Sequence, residues 1–295
     1  MKTKFLMLTL ILSLAMVSCS KDSETESTSN ITADEASVNA KIDFANDDVI
    51  DLVAEQEGAT YANSTSGKIE TDSRSPLTSC ATITRVPAFG TAITPGTQVT
   101  KTIDFGTTGC TLNNGNVVKG IIVISFIYNP SATTHTVTYT FNNFYHNAIK
   151  FNGTKDFTIT MTTETVSSPS HPIVTMNMDL TATFPDGRVF TRVGQRVREI
   201  IEGYGTVSWT DNVYQVTGSW TTSFPNTSLQ TSTITTPLLV KMSCVAVNKP
   251  LIVQGVITYV RGNRTATLNF GSGECDNTAI FTINGNEYTI VIGNP

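Results

Sequence analysis

Two cysteine-bounded segments of nearly equal length are the strongest constraint on the fold of this chain. Each begins with Ser-Cys and ends with Phe-Gly and a further cysteine, and the two cysteines are 30 residues apart in the first segment and 31 in the second. The segments run from Ser79-Cys80 to Phe105-Gly106 and Cys110, and from Ser243-Cys244 to Phe270-Gly271 and Cys275. The repeat predicts two β-units of similar construction that bracket the body of the chain.

Four cysteines remain when Cys19, discussed below, is set aside. An even number favours disulfides in an exported protein. Of the three pairings that four cysteines allow, Cys80–Cys110 with Cys244–Cys275 is the simplest, because each unit then carries its own bridge. A metal site of four thiolates is the rival interpretation. It is disfavoured because the chain has no C-x-x-C pair and no histidine near these cysteines, and we predict neither a metal nor another cofactor.

The N-terminus has the pattern of a secretory signal. Lys2 and Lys4 precede an apolar run of about 13 residues, too short for a bilayer core of roughly 30 Å. The run ends in Met16-Val17-Ser18-Cys19, which resembles the lipobox of a lipoprotein signal with Met16 where Leu is usual. The resemblance implies a signal peptide at residues 1–18 and a lipid on Cys19 that anchors the protein to a membrane. An ordinary cleaved signal with an incidental cysteine is the alternative.

The residues after Cys19 carry a second resemblance. Cys19-Ser20-Lys21-Asp22-Ser23-Glu24 is similar to the start of surface-exported lipoproteins of Bacteroidota, although Ser23 interrupts the acidic pair. The resemblance implies an outer-membrane protein displayed on the cell surface, and the alternative is an outer-membrane lipoprotein that faces the periplasm.

The composition of residues 19–76 predicts a flexible tether that contains one short helix. Residues 20–40 are polar and almost free of apolar side chains, as in linkers. Helical spacing of Val49, Leu52 and Val53 indicates a helix from Asn46 to Glu57, with Asn46 as the N-cap. The aspartates of this stretch do not follow the ligand pattern of an EF-hand, so we predict no calcium site.

Residues 77–295 have β character throughout. Val, Ile, Thr, Phe and Tyr alternate in short runs, such as Gln98 to Phe105, and turn residues such as Asn113-Asn114-Gly115-Asn116 separate the runs. We therefore predict an all-β class in one domain: a large antiparallel meander sheet or sandwich with two disulfide-stapled β-units and a short N-terminal helix. Bulges or close backbone approach are expected at Gly120, Gly153, Gly218 and Gly255.

The C-terminal third resembles Flavobacteria-like surface lipoproteins of Bacteroidota whose function is unknown. The residues that carry the resemblance are Val216–Trp220, Thr236–Leu238, Cys244, Gln254–Val256 and Asn269–Ala279. The resemblance implies a β-fold and an envelope location, and it names no site.

Charge and motif content favour a protein that is not an enzyme. A net charge of −5 with only 15% charged residues argues against nucleic acid as a partner. The three histidines, His135, His146 and His171, are not accompanied by a G-x-S-x-G nucleophile motif. Carboxylates in the β-body are sparse and mostly adjoin turns. These features predict a non-enzymatic structural or binding module of the cell envelope.

Two side-chain groups are candidates for ligand binding. Arg188, Arg192, Arg196 and Arg198 share one strand face and could bind an anionic glycan or a lipid headgroup, although such a row can also be a solvated face. Trp209 and Trp220, near Tyr204 and Tyr214, could form a sugar-stacking platform or simply belong to the core. The alternative function is therefore carbohydrate or lipid binding through Arg188, Arg192, Arg196, Trp209 and Trp220, with a glycan or an envelope protein as partner.

Overall fold

The computed structural model describes residues 30–62, 77–165, 169–206, 208, 210–226 and 228–292. The predicted signal peptide at residues 1–18, the predicted lipidation site Cys19 and Trp209 lie outside these ranges. Within them, no helix combines the length and the apolarity that crossing a membrane requires.

One helix precedes fourteen strands in the described ranges. The helix α1 spans Ala33–Ala62. The first seven strands are β1 Thr82–Val86, β2 Gln98–Asp104, β3 Cys110–Thr111, β4 Val117–Ile127, β5 Thr134–His146, β6 Ile149–Met161 and β7 Pro172–Thr183. The remaining elements are β8 Val189–Glu202, β9 Val213–Ser223, β10 Leu229–Lys241, the 3₁₀ helix η1 Met242–Val247, β11 Ile252–Arg261, β12 Arg264–Ser272, β13 Thr278–Ile283 and β14 Asn286–Val291.

The strands form a single antiparallel sheet in sequence order. Each strand pairs with the next, except that β2 pairs with β4 and the short strand β3 lies beside β4. The predicted antiparallel meander is confirmed as one sheet. The two predicted disulfides are confirmed as well, with Cα–Cα distances of 5.6 Å for Cys80–Cys110 and 5.4 Å for Cys244–Cys275.

The outer face of the sheet is dominated by uncharged polar side chains. One line of direct cross-strand partners crosses every strand from β1 to β14 apart from β3, and none of its members is buried. The line consists of Val86, Thr100, Ser125, Thr138, Asp156, Asn177, Gln195, Ser219, Thr233, Thr258, Thr267, Thr282 and Glu287. Since side chains alternate between the faces of a strand, the apolar residues between these positions point inward.

The helix α1 lies inside the curved sheet. Residues 42–50 are all buried, and nine consecutive residues make two and a half turns, so every face of the helix is covered there. The helix is longer than the predicted Asn46–Glu57. Thr32 forms its N-terminal capping box, in which Glu35 N–H donates to Thr32 Oγ1 at 3.2 Å and Thr32 N–H donates to Glu35 Oε2 at 3.0 Å. The predicted N-cap at Asn46 is wrong, because the helix already begins at Ala33.

Residues from two distant parts of the sheet meet beside one turn of α1. A cavity of about 10 Å³ beside Asp48 and Asp51 is lined by Leu112, two residues after Cys110, and by Val245 and Leu251 of the second cysteine-bounded segment. Strands β3 and β11, next to these residues, are far apart in the sheet order. The sheet therefore curves around the helix.

Glycines permit the close strand contacts that this curvature requires, as predicted. At Gly120 (φ +87°), a Cβ atom would lie 2.0 Å from the carbonyl oxygen of Asn143, and the register shifts between Lys119 and Ile121. At Gly218 (φ +141°), a Cβ atom would lie 2.3 Å from the carbonyl oxygen of Gln195. A side chain at either position would separate the paired strands.

Candidate functional site

A row of mostly acidic side chains winds along α1. They recur at intervals of four residues, so consecutive members are neighbours on the helix surface, and each step turns the row by about 40° around the helix axis. They are Glu35, Asn39, Asp43, Asp47, Asp51 and Glu55. We call this set the acidic stripe. Because Asp43 and Asp47 are fully enclosed, with 0% and 2% exposure, their carboxylates need partners from the sheet.

Arginines on the inner face of β8 supply those partners. Arg192 and Arg196 both donate to Oδ1 of Asp43, each at 2.5 Å. Arg192 also donates to the backbone and side-chain oxygens of Asn39, at 3.1 and 2.6 Å. One carboxylate therefore compensates two guanidinium groups that are 1% and 2% exposed.

The pairing continues toward both ends of the helix. Arg198 Nη1 lies 2.6 Å from Asp51 Oδ1. Arg261, at the end of β11, donates to Glu35 at 3.1 Å. The acidic stripe is thus matched by bases from two strands, which fixes both the rotation and the axial position of α1 in the sheet.

Further bases from other strands extend this charged interior. Lys155 on β6 donates to Asn46 Oδ1, and Lys101 on β2 donates to the carbonyl oxygen of Gln56 at 2.5 Å. His146 on β5 lies 2.8 Å from Asp48. Basic side chains on the inner face of the sheet thus lie along most of the length of the helix.

The prediction that Arg192, Arg196 and Trp220 form an exposed binding face is wrong. The arginines do share one face of β8, as predicted, but that face points inward and is covered by α1. Trp220 is 2% exposed and lies against both guanidinium groups, with its ring centroid 5.4 Å from Arg192 Cζ and 4.3 Å from Arg196 Cζ. These three residues stabilise the interior.

Arg188 lies apart from the other predicted ligand-binding arginines. It is partly exposed in the turn before β8 and pairs with Asp34 at 2.5 Å and with Asp186 at 2.7 Å. Trp209 is outside the described residues, so the proposed platform of two tryptophans is not assembled from the described part of the chain.

Several buried polar atoms on the inner face lack a hydrogen-bond partner within the described ranges. They are Trp220 Nε1, Thr222 Oγ1, Gln230 Nε2, Ser232 Oγ and Tyr259 OH. All five belong to β9, β10 and β11. A buried polar atom without a partner reduces stability. The inner face of these three strands therefore carries buried polar atoms that are not offset by a hydrogen bond among the described residues.

Burial moves the pKa values of Asp47, Asp51, Lys101 and Lys155 in this interior toward neutrality. Desolvation raises the pKa of Asp47 from its ordinary value of 3.8 to about 7, against the opposing effect of Arg196 and Arg198. Desolvation also lowers the pKa of Lys155 from 10.5 to about 7, with Arg196 and Arg192 acting in the same direction. Both groups therefore change charge near neutral pH in the folded state.

These shifts predict a pH dependence of stability with opposite slopes on the two sides of pH 7. Between about pH 4 and 7 the folded state holds a proton on Asp47 that the unfolded state has lost, so Asp47 makes stability fall as pH rises. Between about pH 7 and 10.5 the unfolded state holds the Lys155 proton that the folded state has lost, so Lys155 makes stability rise. Each slope approaches about 1.4 kcal/mol per pH unit at most.

Urea unfolding at a series of pH values, with two variants, checks this prediction. Asp47→Asn should reduce the falling contribution below pH 7 and leave the part due to Asp51, and Lys155→Met should reduce the rising contribution above pH 7 and leave the part due to Lys101. Each variant serves as the control for the other, because each should leave the opposite slope in place. Stability curves of both variants that run parallel to the wild-type curve would contradict the assignment.

A separate, open pocket lies near the C-terminal end of β8. Its volume is about 300 Å³, and His171, Glu199, Ile201, Glu202 and Tyr204 are among its lining residues. His171 Nε2 lies 2.9 Å from Glu199 Oε1, and His171 Nδ1 lies 2.9 Å from the carbonyl oxygen of Pro169. Since both ring nitrogens face acceptors, the protonated imidazole is favoured. The hydrogen bond to Glu199 is the main cause that raises the pKa of His171.

Local sequence patterns indicate both of these clusters only weakly. The acidic stripe is present in the sequence as polar residues at intervals of four, but the absence of an EF-hand pattern does not predict its role in the interior. The partner of His171, Glu199, is 28 residues away. Tyr204, which lies near the tryptophans of the predicted platform, is 43% exposed.

Metal binding and similarity to known proteins give no further assignment. Among the described residues, no group of three or more His, Cys, Asp or Glu side chains is arranged to hold a metal ion. Comparisons with protein-family models, with curated proteins and with solved structures found no match.

Proposed function

We propose that this protein is a non-enzymatic structural or binding module of the cell envelope, held at the outer membrane by a lipid on Cys19 and displayed on the cell surface. The lipobox-like Met16-Val17-Ser18-Cys19 and the tract that follows it support the anchor. The two disulfides agree with an oxidising compartment outside the cytoplasm.

The observation that carries the proposal is the position of α1. Cys19 precedes Ala33 by 14 residues, and a chain of this length reaches at most about 50 Å. The first described element after Cys19 is α1, which is enclosed by the sheet and forms ion pairs with arginines of β8 and β11. A lipid on Cys19 would hold the β-body through its interior, so a pull on the anchor would act on the whole sheet.

Cys19→Ala tests the anchor. In cells fed an alkyne-labelled fatty acid, the wild-type protein should become labelled and sediment with membranes, because acyl chains contribute about 0.8 kcal/mol per buried CH₂. The Cys19→Ala variant should carry no label and leave the membrane fraction. Ser18→Ala is the matched control and should be labelled normally. An unlabelled wild-type protein, or a variant that remains membrane-bound, would refute the anchor.

Protease treatment of intact cells tests the display on the surface. The protein should be degraded in intact cells while a periplasmic marker protein survives. Protection until the outer membrane is permeabilised would place the protein on the periplasmic side and would leave the lipid anchor unaffected.

A further inference from the structure

We propose that the pocket near the C-terminal end of β8 binds a single uncharged sugar unit of a glycan, with Tyr204 as the stacking surface and Glu199 and Glu202 as hydroxyl acceptors. This site belongs to the β-body and does not depend on the lipid anchor. It also differs from the arginine face predicted from the sequence, which is buried beneath α1.

The size of the pocket suits one sugar ring. Small-molecule pockets in proteins span about 300–1,000 Å³ and combine apolar surface with a few fixed polar groups. This pocket, at about 300 Å³, lies at the lower end of that range. Its open form allows the rest of a glycan to extend into solvent.

The polar groups of the pocket are suited to hydroxyls. The Glu199 carboxylate is held by the His171 imidazolium through one oxygen, yet a carboxylate has about four acceptor sites in total. Glu202 is exposed at the end of β8. Hydrogen bonds from hydroxyls to ionised carboxylates are short and strong.

Apolar surface lies next to these carboxylates. Tyr204 and Ile201 are each 43% exposed, and an aromatic ring offers an apolar face with a polar edge. Gly203 makes the chain turn that carries Tyr204 to the pocket. Its φ is +82°, and a Cβ atom there would lie 2.6 Å from Asn212 Oδ1. The turn therefore requires glycine, and it places a ring beside the C–H groups of a bound sugar.

The charge of the pocket selects against anionic ligands. Glu199 and Glu202 both line the pocket, so an acidic sugar would meet two carboxylates. A divalent metal is not the expected occupant, because the described residues contain no group of three metal ligands.

Ligand-observed NMR on the full-length chain in detergent tests the proposal. The probes are the methyl glycosides of glucose, galactose, mannose and N-acetylglucosamine, with glucuronic acid as the acidic probe. At least one neutral glycoside should receive saturation transfer, and Tyr204→Ala should weaken its binding roughly tenfold. Glu202→Gln should weaken it by a smaller factor.

Two substitutions elsewhere are matched controls. Tyr288, 47% exposed on β14, is the counterpart of Tyr204, and the exposed Glu287 is the counterpart of Glu202. Tyr288→Ala and Glu287→Gln should leave binding unchanged, and Tyr204→Ala should keep a cooperative unfolding transition. The proposal is overturned if no neutral glycoside binds, if glucuronic acid binds more tightly than the neutral glycosides, or if Tyr204→Ala and Tyr288→Ala bind equally well.

Discussion

Replacing Asp43 with alanine is expected to lower the free energy of unfolding by about 3–5 kcal/mol. Arg192 and Arg196 both donate to Asp43 Oδ1, and both are almost completely buried. Without the carboxylate, two guanidinium charges would remain in the interior. Among the described residues, Arg192 would keep only the oxygens of Asn39 as hydrogen-bond acceptors, and Arg196 would keep only Asp47 Oδ1, at 3.5 Å. Urea unfolding followed by circular dichroism measures the loss.

Asp34→Ala is the matched control on the same helix. Asp34 also pairs with an arginine, Arg188, but it is 65% exposed. Exposed ion pairs contribute about 1 kcal/mol or less, so the free energy of unfolding of this variant should fall by no more than that amount. If Asp43→Ala and Asp34→Ala are equally stable, the charged interior does not hold α1 in place.

Removal of either disulfide is the second large effect that we expect. In the chain-entropy account, opening a loop of about 30 residues costs about 3.5–4 kcal/mol. Two double variants test this: Cys80→Ser/Cys110→Ser and Cys244→Ser/Cys275→Ser. In urea unfolding without reductant, the free energy of unfolding of each should fall by about this amount. Their loops differ by one residue, so the entropic losses should be nearly equal.

The disulfide variants also test whether the two units act together. Because Leu112, two residues after Cys110, and Leu251 of the second segment line one cavity beside Asp48 and Asp51, removal of all four cysteines should give a loss of unfolding free energy that differs from the sum of the two pairs. Wild-type protein treated with reductant should match the four-cysteine variant. A loss below about 1 kcal/mol for each pair would show that the sheet does not need these bridges.

Local patterns in the sequence predicted the sheet because strand signals are local. Alternation, turn residues and the repeated cysteine spacing each concern a few neighbouring residues, and they identified the meander, the bridges and the backbone contacts at Gly120 and Gly218. The extent of α1 was not predicted, because a helix enclosed on every side has no apolar stripe with a 3.6-residue period. Its start was encoded in Thr32 and Glu35 as a capping box.

The direction of the arginine row could not be predicted from β8 alone. Alternation places Arg192, Arg196 and Arg198 on one face, but it does not say which face is inside. The answer lies in Asp43 and Asp51, about 150 residues earlier in the chain. The pocket beside Tyr204 has the same difficulty, since His171 and Glu199 meet only through the pairing of β7 and β8.

The enclosure of α1 also sets the order in which the chain can fold. The helix is the first described element to be synthesised, yet Arg261, the partner of Glu35, follows 226 residues later. Until β8 to β11 have been synthesised, Glu35, Asp43 and Asp51 lack the arginines that pair with them in the folded protein. Contacts this distant in sequence slow folding, and they leave an early segment exposed to aggregation. Enclosure of the helix by the sheet must therefore be a late event, when the chain is nearly full length.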